Sequence, residues 1–198
     1  MKLVLATQNP KKLKEMNELL SDLGVEVVSE AELGVRIEVE ETGETFTDNA
    51  RLKATAVMQA TGLPAVADDS GLCVDALNGG PGVYSARFGG EGLDDKGRYT
   101  LLLEMLRGQT DRAAHFHTSI VCAFPNGDEL VCEGECPGTI AFAPMGEGGF
   151  GYDPVFFVPE LRKTFGQLTA EEKAAVSHRG KALRAFAAAL DDYLKGNE

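Results

Sequence analysis

Cationic side chains are scarce in this sequence. Nineteen lysines and arginines face thirty-one acids, giving a formal net charge of −12 over 198 residues. So acidic a surface repels nucleic-acid backbones, which disfavours a DNA- or RNA-binding role. Long apolar runs are also missing: none approaches the ~20 residues of a membrane span. The apolar start Leu3-Val4-Leu5-Ala6 is too short for the core of a secretory leader. A cytoplasmic protein without membrane contact is therefore expected. Cysteine is sparse, at Cys73, Cys122, Cys132 and Cys136. Only the last two lie close together, and their spacing is not that of a zinc knuckle. Cys122 and Cys132 fall in apolar, strand-like runs where buried free thiols are expected. There are no internal repeats. The Gly-x-x-x-x-Gly-Lys loop of P-loop nucleotide hydrolases is absent. Ser70 lacks the context of a nucleophile elbow, which argues against Ser-His-Asp hydrolysis.

What is present suits one globular domain over residues 1–198, with room for two lobes. Hydrophobic residues make up 43% of the chain, enough for a core without covalent staples. Lys2 to Thr7 reads as a buried strand. Leu13, Met16, Leu19, Leu20 and Leu23 then recur at helical spacing up to Gly24. Val25–Val28 is a second strand and Phe46–Thr61 a helix closed by Gly62 and Pro64. Ala65–Ala67 and Leu72–Val74 read as short strands around an acidic turn. A long glycine-rich loop spans 78–92, Tyr99–Leu106 is helical, and Ala113–Phe124 pairs with Glu129–Cys136 across the turn at 125–128. Thr169 and Glu172 form a capping box, and Ala182–Leu194 is a final amphipathic helix. Helices and strands alternate before a hairpin appears, so the expected class is α/β with a mixed sheet.

The residues that carry chemistry fall in five places. Ala65-Val66-Ala67-Asp68-Asp69-Ser70-Gly71 ends an apolar stretch on adjacent carboxylates, whose repulsion a divalent cation would relieve; oxygen-only ligands suit magnesium. A solvated Asp-Asp turn is the plainer reading of the same residues. Thr7-Gln8-Asn9-Pro10-Lys11-Lys12 joins the first strand to the first helix. Asn9 is a good N-cap and Pro10 a good first helical residue, but Lys11, Lys12 and Lys14 have the wrong sign for the helix dipole. A bound phosphate would resolve that conflict. Glu38, Glu40 and Glu41 precede the Phe46 helix, as an acidic edge or a further metal carboxylate. Gly148-Gly149-Phe150-Gly151-Tyr152-Asp153 offers aromatics that could stack on a base. Lys173 and Ser177-His178-Arg179-Gly180-Lys181 concentrate donors in an otherwise acidic chain. His115 and His117 share one strand face with no third ligand evident nearby, so they are assigned to packing or surface.

Taken together, these segments form a recognisable series. Thr7-x-Asn9-x-x-Lys12, Glu41-Thr42-Gly43-x-Thr45-Phe46-x-x-Asn49-Ala50 and Ala67-Asp68-Asp69-Ser70-Gly71-Leu72 are followed by Gly82-Val83-Tyr84-Ser85-Ala86-Arg87, Gly149-Phe150-Gly151-Tyr152-Asp153-Pro154 and Ser177-His178-Arg179-Gly180. The chain resembles the Ham1/RdgB family of inosine and xanthosine triphosphate pyrophosphatases from Leu5 to about Leu183. The resemblance implies a two-lobed α/β fold with a long central mixed sheet flanked by helices, an active-site cleft between the lobes, and a homodimer. It implies hydrolysis of ITP, dITP and XTP to monophosphate and pyrophosphate, which cleanses the nucleotide pool of deaminated purines. By the same likeness Glu41 and Asp69 hold magnesium, and Asp69 also accepts the proton of the attacking water. Thr7, Asn9 and Lys12 contact the triphosphate, Gln8, Pro10 and Lys11 are substrate-binding beside them, and Asp68 supports the site. Ser70 contacts substrate; Phe150, Gly151, Tyr152, Asp153, Lys173, His178 and Arg179 hold the nucleotide and its base. Rival readings are a Maf-type nucleotide pyrophosphatase, a haloacid-dehalogenase-type phosphatase, whose Asp-x-Asp signature is missing, and a non-catalytic nucleotide sensor.

Overall fold

A continuous apolar run, rather than an alternating one, decides the central architecture. In β1 (Lys2–Leu5) three consecutive residues, Leu3, Val4 and Leu5, are buried, so both faces of the strand are covered. Leu3 and Leu5 pack with Met16 and Leu20 of α1 (Pro10–Leu20) and with Leu183, Phe186 and Leu190 of α5 (His178–Gly196). Val4 packs instead with Val57 of α2 (Phe46–Thr61). Such double burial is characteristic of parallel strands covered by helices. The pairing agrees: β1 runs parallel to β2 (Glu26–Ser29), with Leu3 opposite Val27, and parallel to β3 (Ala65–Val74), with Leu5 opposite Val66.

The computed structural model describes residues 1–197. Its seven-stranded sheet has the order β2-β1-β3-β4-β5-β6-β7, where β4 is Ala113–Ala123, β5 Glu129–Ile140, β6 Phe156–Val158 and β7 Lys163–Thr164. β5, β6 and β7 pair antiparallel, so the sheet is mixed. Two further helices are α3 (Asp95–Met105) and α4 (Ala170–Val176). By contacts the chain divides into two units. The first comprises 1–69, 118–134 and 182–198; the second comprises 70–117 and 135–181. The core of the second unit gathers Leu72, Leu102, Phe116, Ile140, Phe156 and Phe165. Among the described residues no helix is long and apolar enough to cross a membrane.

Several boundaries differ from the sequence reading. Leu72–Val74 and Ala65–Ala67 are not two strands around a turn; β3 runs unbroken through Asp68, Asp69, Ser70 and Gly71. β5 continues past Cys136 to Ile140, and the short β6 and β7 were not foreseen. The glycine-rich stretch after residue 78 holds a 3₁₀ segment, Gly82–Arg87, in which the buried Ser85 hydroxyl accepts from the Leu72 amide at 2.9 Å. The last helix begins at His178 rather than Ala182, because Ser177 caps it: its hydroxyl accepts from the Gly180 amide at 3.0 Å.

Candidate active site

In the first unit, β1 delivers Thr7 to the turn that opens α1. The Thr7 hydroxyl accepts from the Asn9 amide at 3.2 Å, and the Asn9 side chain accepts from the Lys11 amide at 2.9 Å. Asn9 is therefore the N-cap and Pro10 the first helical residue, as the sequence indicates. No acid lies in this first turn. The compensating charge comes from β3: the Lys12 ammonium donates to both oxygens of Asp68, at 2.9 and 2.8 Å. Gln8 and Lys11 are exposed beside it, and the Lys12 side chain keeps a third of its surface accessible.

The continuity of β3 settles how two adjacent acids coexist. Successive strand side chains point to opposite faces. Asp68 meets Lys12 of α1, whereas Asp69 meets α2. There the Asn49 amide donates to Asp69 at 3.2 Å, and its carbonyl accepts from the Gly43 amide at 2.8 Å. Four residues on, the Lys53 ammonium donates to Glu41 at 2.8 Å, to the Asp68 backbone carbonyl at 2.8 Å and to Asp69 at 3.4 Å. Two carboxylates thus converge on one ammonium. Burial pushes the Asp69 carboxyl above the usual aspartate range; Lys53 opposes this and Glu41 adds to it. For Lys53, burial acts to lower the ammonium, but Asp69, Glu41 and Asp68 together outweigh it and hold it above its ordinary value. The region is oxygen-rich and short of positive charge.

The second unit builds a different kind of site. Gly149 adopts φ +78°, and a Cβ there would lie 1.9 Å from the Asp153 carboxylate, so the loop closes over that acid only with glycine. Asp153 is buried, accepts from the Phe150 amide at 2.9 Å and is ion-paired with Lys173 of α4. Burial raises the Asp153 carboxyl, against the pull of Lys173. The Lys173 ammonium stands 4.7 Å over the Phe150 ring, which is 76% exposed. Phe150 is thus the available aromatic face. Tyr152 is not: it is buried, and its hydroxyl donates to the Ser85 carbonyl at 2.8 Å. Burial pushes that phenol up to about 12, so it stays protonated. The Gly151 amide donates to Asp95 at 2.7 Å. Half-buried His178 stacks on Phe116 with centroids 4.6 Å apart, and Arg179 follows it at the start of α5. Ser70 is exposed on β3.

Residues 3–189 match the Ham1 family. A dITP/XTP pyrophosphatase of an Exiguobacterium species is 50% identical over 196 residues, covering 99% of this chain and 100% of its own length. One from Thermus thermophilus is 53% identical, covering 97% and 93%. This chain belongs to the Ham1 family. Among solved structures, a Ham1 protein from Coxiella burnetii superposes with a TM-score of 0.93 at 44% identity, over 97% of this chain and 99% of its own.

Two residues of α2, Asn49 and Lys53, stand out for which the sequence alone suggests no role. Asn49 and Lys53 lie one helical turn apart and address the same carboxylate. The signal that could have found them was Asp69 itself: a half-buried acid beside a second acid requires a cation or amide donor, and α2 supplies both. His115 and His117, near which the sequence shows no third candidate ligand, have an acid beside them in the fold. The side chain of Glu135, on the neighbouring strand β5, lies 2.9 Å from His117 Nδ1. That neighbour depends on strand register, which the sequence does not display.

Proposed function

We propose that this chain hydrolyses ITP, dITP and XTP to the monophosphate and pyrophosphate, and so clears deaminated purines from the nucleotide pool. It acts as one catalytic domain over residues 1–198, as a homodimer in the cytoplasm, on small nucleotides rather than nucleic acid. The observation that carries this reading is the convergence of Glu41 and Asp69 on Lys53, in a chain half-identical over its full length to proteins named dITP/XTP pyrophosphatase. Glu41 and Asp69 fit a hard divalent cation, since both offer carboxylate oxygen and burial leaves Asp69 short of compensating charge. Magnesium held there supplies neutralisation of the triphosphate charge.

The protein's own groups do the rest. Asp69 takes the proton from the water that cleaves between the α- and β-phosphates. The Asn9-capped turn and Lys12 receive phosphate oxygens, and Lys12 stabilises the charge that develops on departing pyrophosphate. Phe150 offers a ring for the base, held by the Asp153–Lys173 pair beneath it. Arg179 and backbone amides donate to the 6-oxo group of hypoxanthine or xanthine. Adenine presents an amino donor there and leaves those groups unpaired, which costs orders of magnitude in rate.

Asp69→Asn preserves side-chain volume and removes the proton acceptor. Turnover of ITP should vanish while the circular dichroism spectrum and melting temperature stay close to those of the parent. Near-normal activity in that variant would overturn the assignment.

A further inference from the structure

We infer that His115, His117 and Glu135 form a second cation site, for a borderline divalent ion of the zinc class, separate in chemistry from the magnesium carboxylates. His115 and His117 lie two apart on β4 and so share a face. Glu135 comes from the adjacent strand β5. One ligand atom from each of the three lies within 4.8 Å of the others. His117 Nδ1 and the Glu135 carboxylate stand 2.9 Å apart, and they need part only slightly to reach the ~3.3 Å between neighbouring ligands of a tetrahedral ion with bonds of about 2.0–2.1 Å.

A cross-strand hydrogen bond alone would account for His117 and Glu135. It leaves unexplained why a second imidazole is brought to the same point. Two imidazoles and one carboxylate select zinc or a similar ion over magnesium, which prefers oxygen and sheds water reluctantly. All three ligands stand on paired strands, so little rearrangement is required to bind. The His117 side chain is 16% exposed and that of Glu135 58%, so one side faces solvent and water can complete the coordination. Bound there, the ion clasps β4 to β5 within the second unit.

The test is zinc titration by calorimetry of the metal-stripped, reduced protein, with excess magnesium present to occupy Glu41 and Asp69. One equivalent should bind, and thermal unfolding should shift upward. His115→Ala and His117→Ala should each weaken binding by more than the ~10–100-fold that losing an outer-shell partner costs. Glu135→Gln, which keeps side-chain volume and both rings, serves should a histidine variant not fold; it too should weaken binding. Cobalt substitution should give ligand-field absorption without an intense thiolate band. Absence of zinc binding, binding unaltered in all variants that fold, or a thiolate band from a cysteine-held ion would each overturn the site.

Discussion

Lys53 is bound by the Glu41 carboxylate, the Asp69 carboxylate and the Asp68 carbonyl, and only a fifth of its side chain is exposed. Removing that ammonium leaves Glu41 and Asp69 facing each other without a counter-charge. Lys53→Ala should therefore destabilise the fold by on the order of 2 kcal/mol, somewhat less than a fully buried pair would lose. Added magnesium should recover a larger part of the melting temperature in the variant than in the parent, because the ion supplies the missing positive charge. An unchanged melting temperature without metal, or equal magnesium responses in both proteins, would count against the convergence of these carboxylates. At this scale the sequence was informative about the acids and silent about their partners. Glu41 and Asp69 stand out as unusual local charge; Asn49 and Lys53 look like ordinary polar residues on a helix until Asp69 is placed against them. Tyr152 misleads in the opposite direction. An aromatic among glycines resembles a stacking residue, but its hydroxyl is committed to the Ser85 carbonyl.

At the scale of elements, capping signals were read correctly because their chemistry is local. Asn9 before Pro10 and Thr169 with Glu172 cap the helices they precede. The unbroken β3 was missed because Asp-Asp-Ser-Gly has turn composition; cations from two flanking helices make it tolerable in a strand, a tertiary effect that overrides propensity. The same arrangement pairs Lys12 with Asp68. Lys12→Ala strands a mostly buried Asp68 carboxylate, whose side chain is only 8% exposed, and under the proposed function it also removes a phosphate ligand. The KM for ITP should rise about 10-fold or more, the worth of one charge-assisted contact; an unchanged KM would contradict the phosphate cradle. The α4–α5 junction gives another test. A Cβ on Gly180 would lie 2.1 Å from the Ala174 carbonyl oxygen. Gly180→Ala should cost about 1–3 kcal/mol in denaturant unfolding, as overpacking does. It should also raise KM, since the turn carrying His178 and Arg179 must move. Unchanged stability and KM would mean that the close approach is dispensable.

Across the whole molecule, the α/β class and mixed sheet were legible because alternating helices and strands followed by a hairpin admit few arrangements. β6 and β7 were not, being three and two residues long and held by pairing rather than by pattern. The roles proposed above divide with the fold. The first unit carries Thr7, Lys12, Glu41 and Asp69; the second carries Phe150, Asp153, Lys173 and Arg179. Phosphate chemistry and base recognition are therefore expected to be separable by mutation. The most direct measurement is a turnover assay on ITP, XTP, GTP and ATP, with and without magnesium, that resolves monophosphate and pyrophosphate from diphosphate and phosphate. The expected result is magnesium-dependent release of IMP and XMP with pyrophosphate, and little product from ATP or GTP. Release of diphosphate and phosphate, or binding of ITP without turnover, would contradict it.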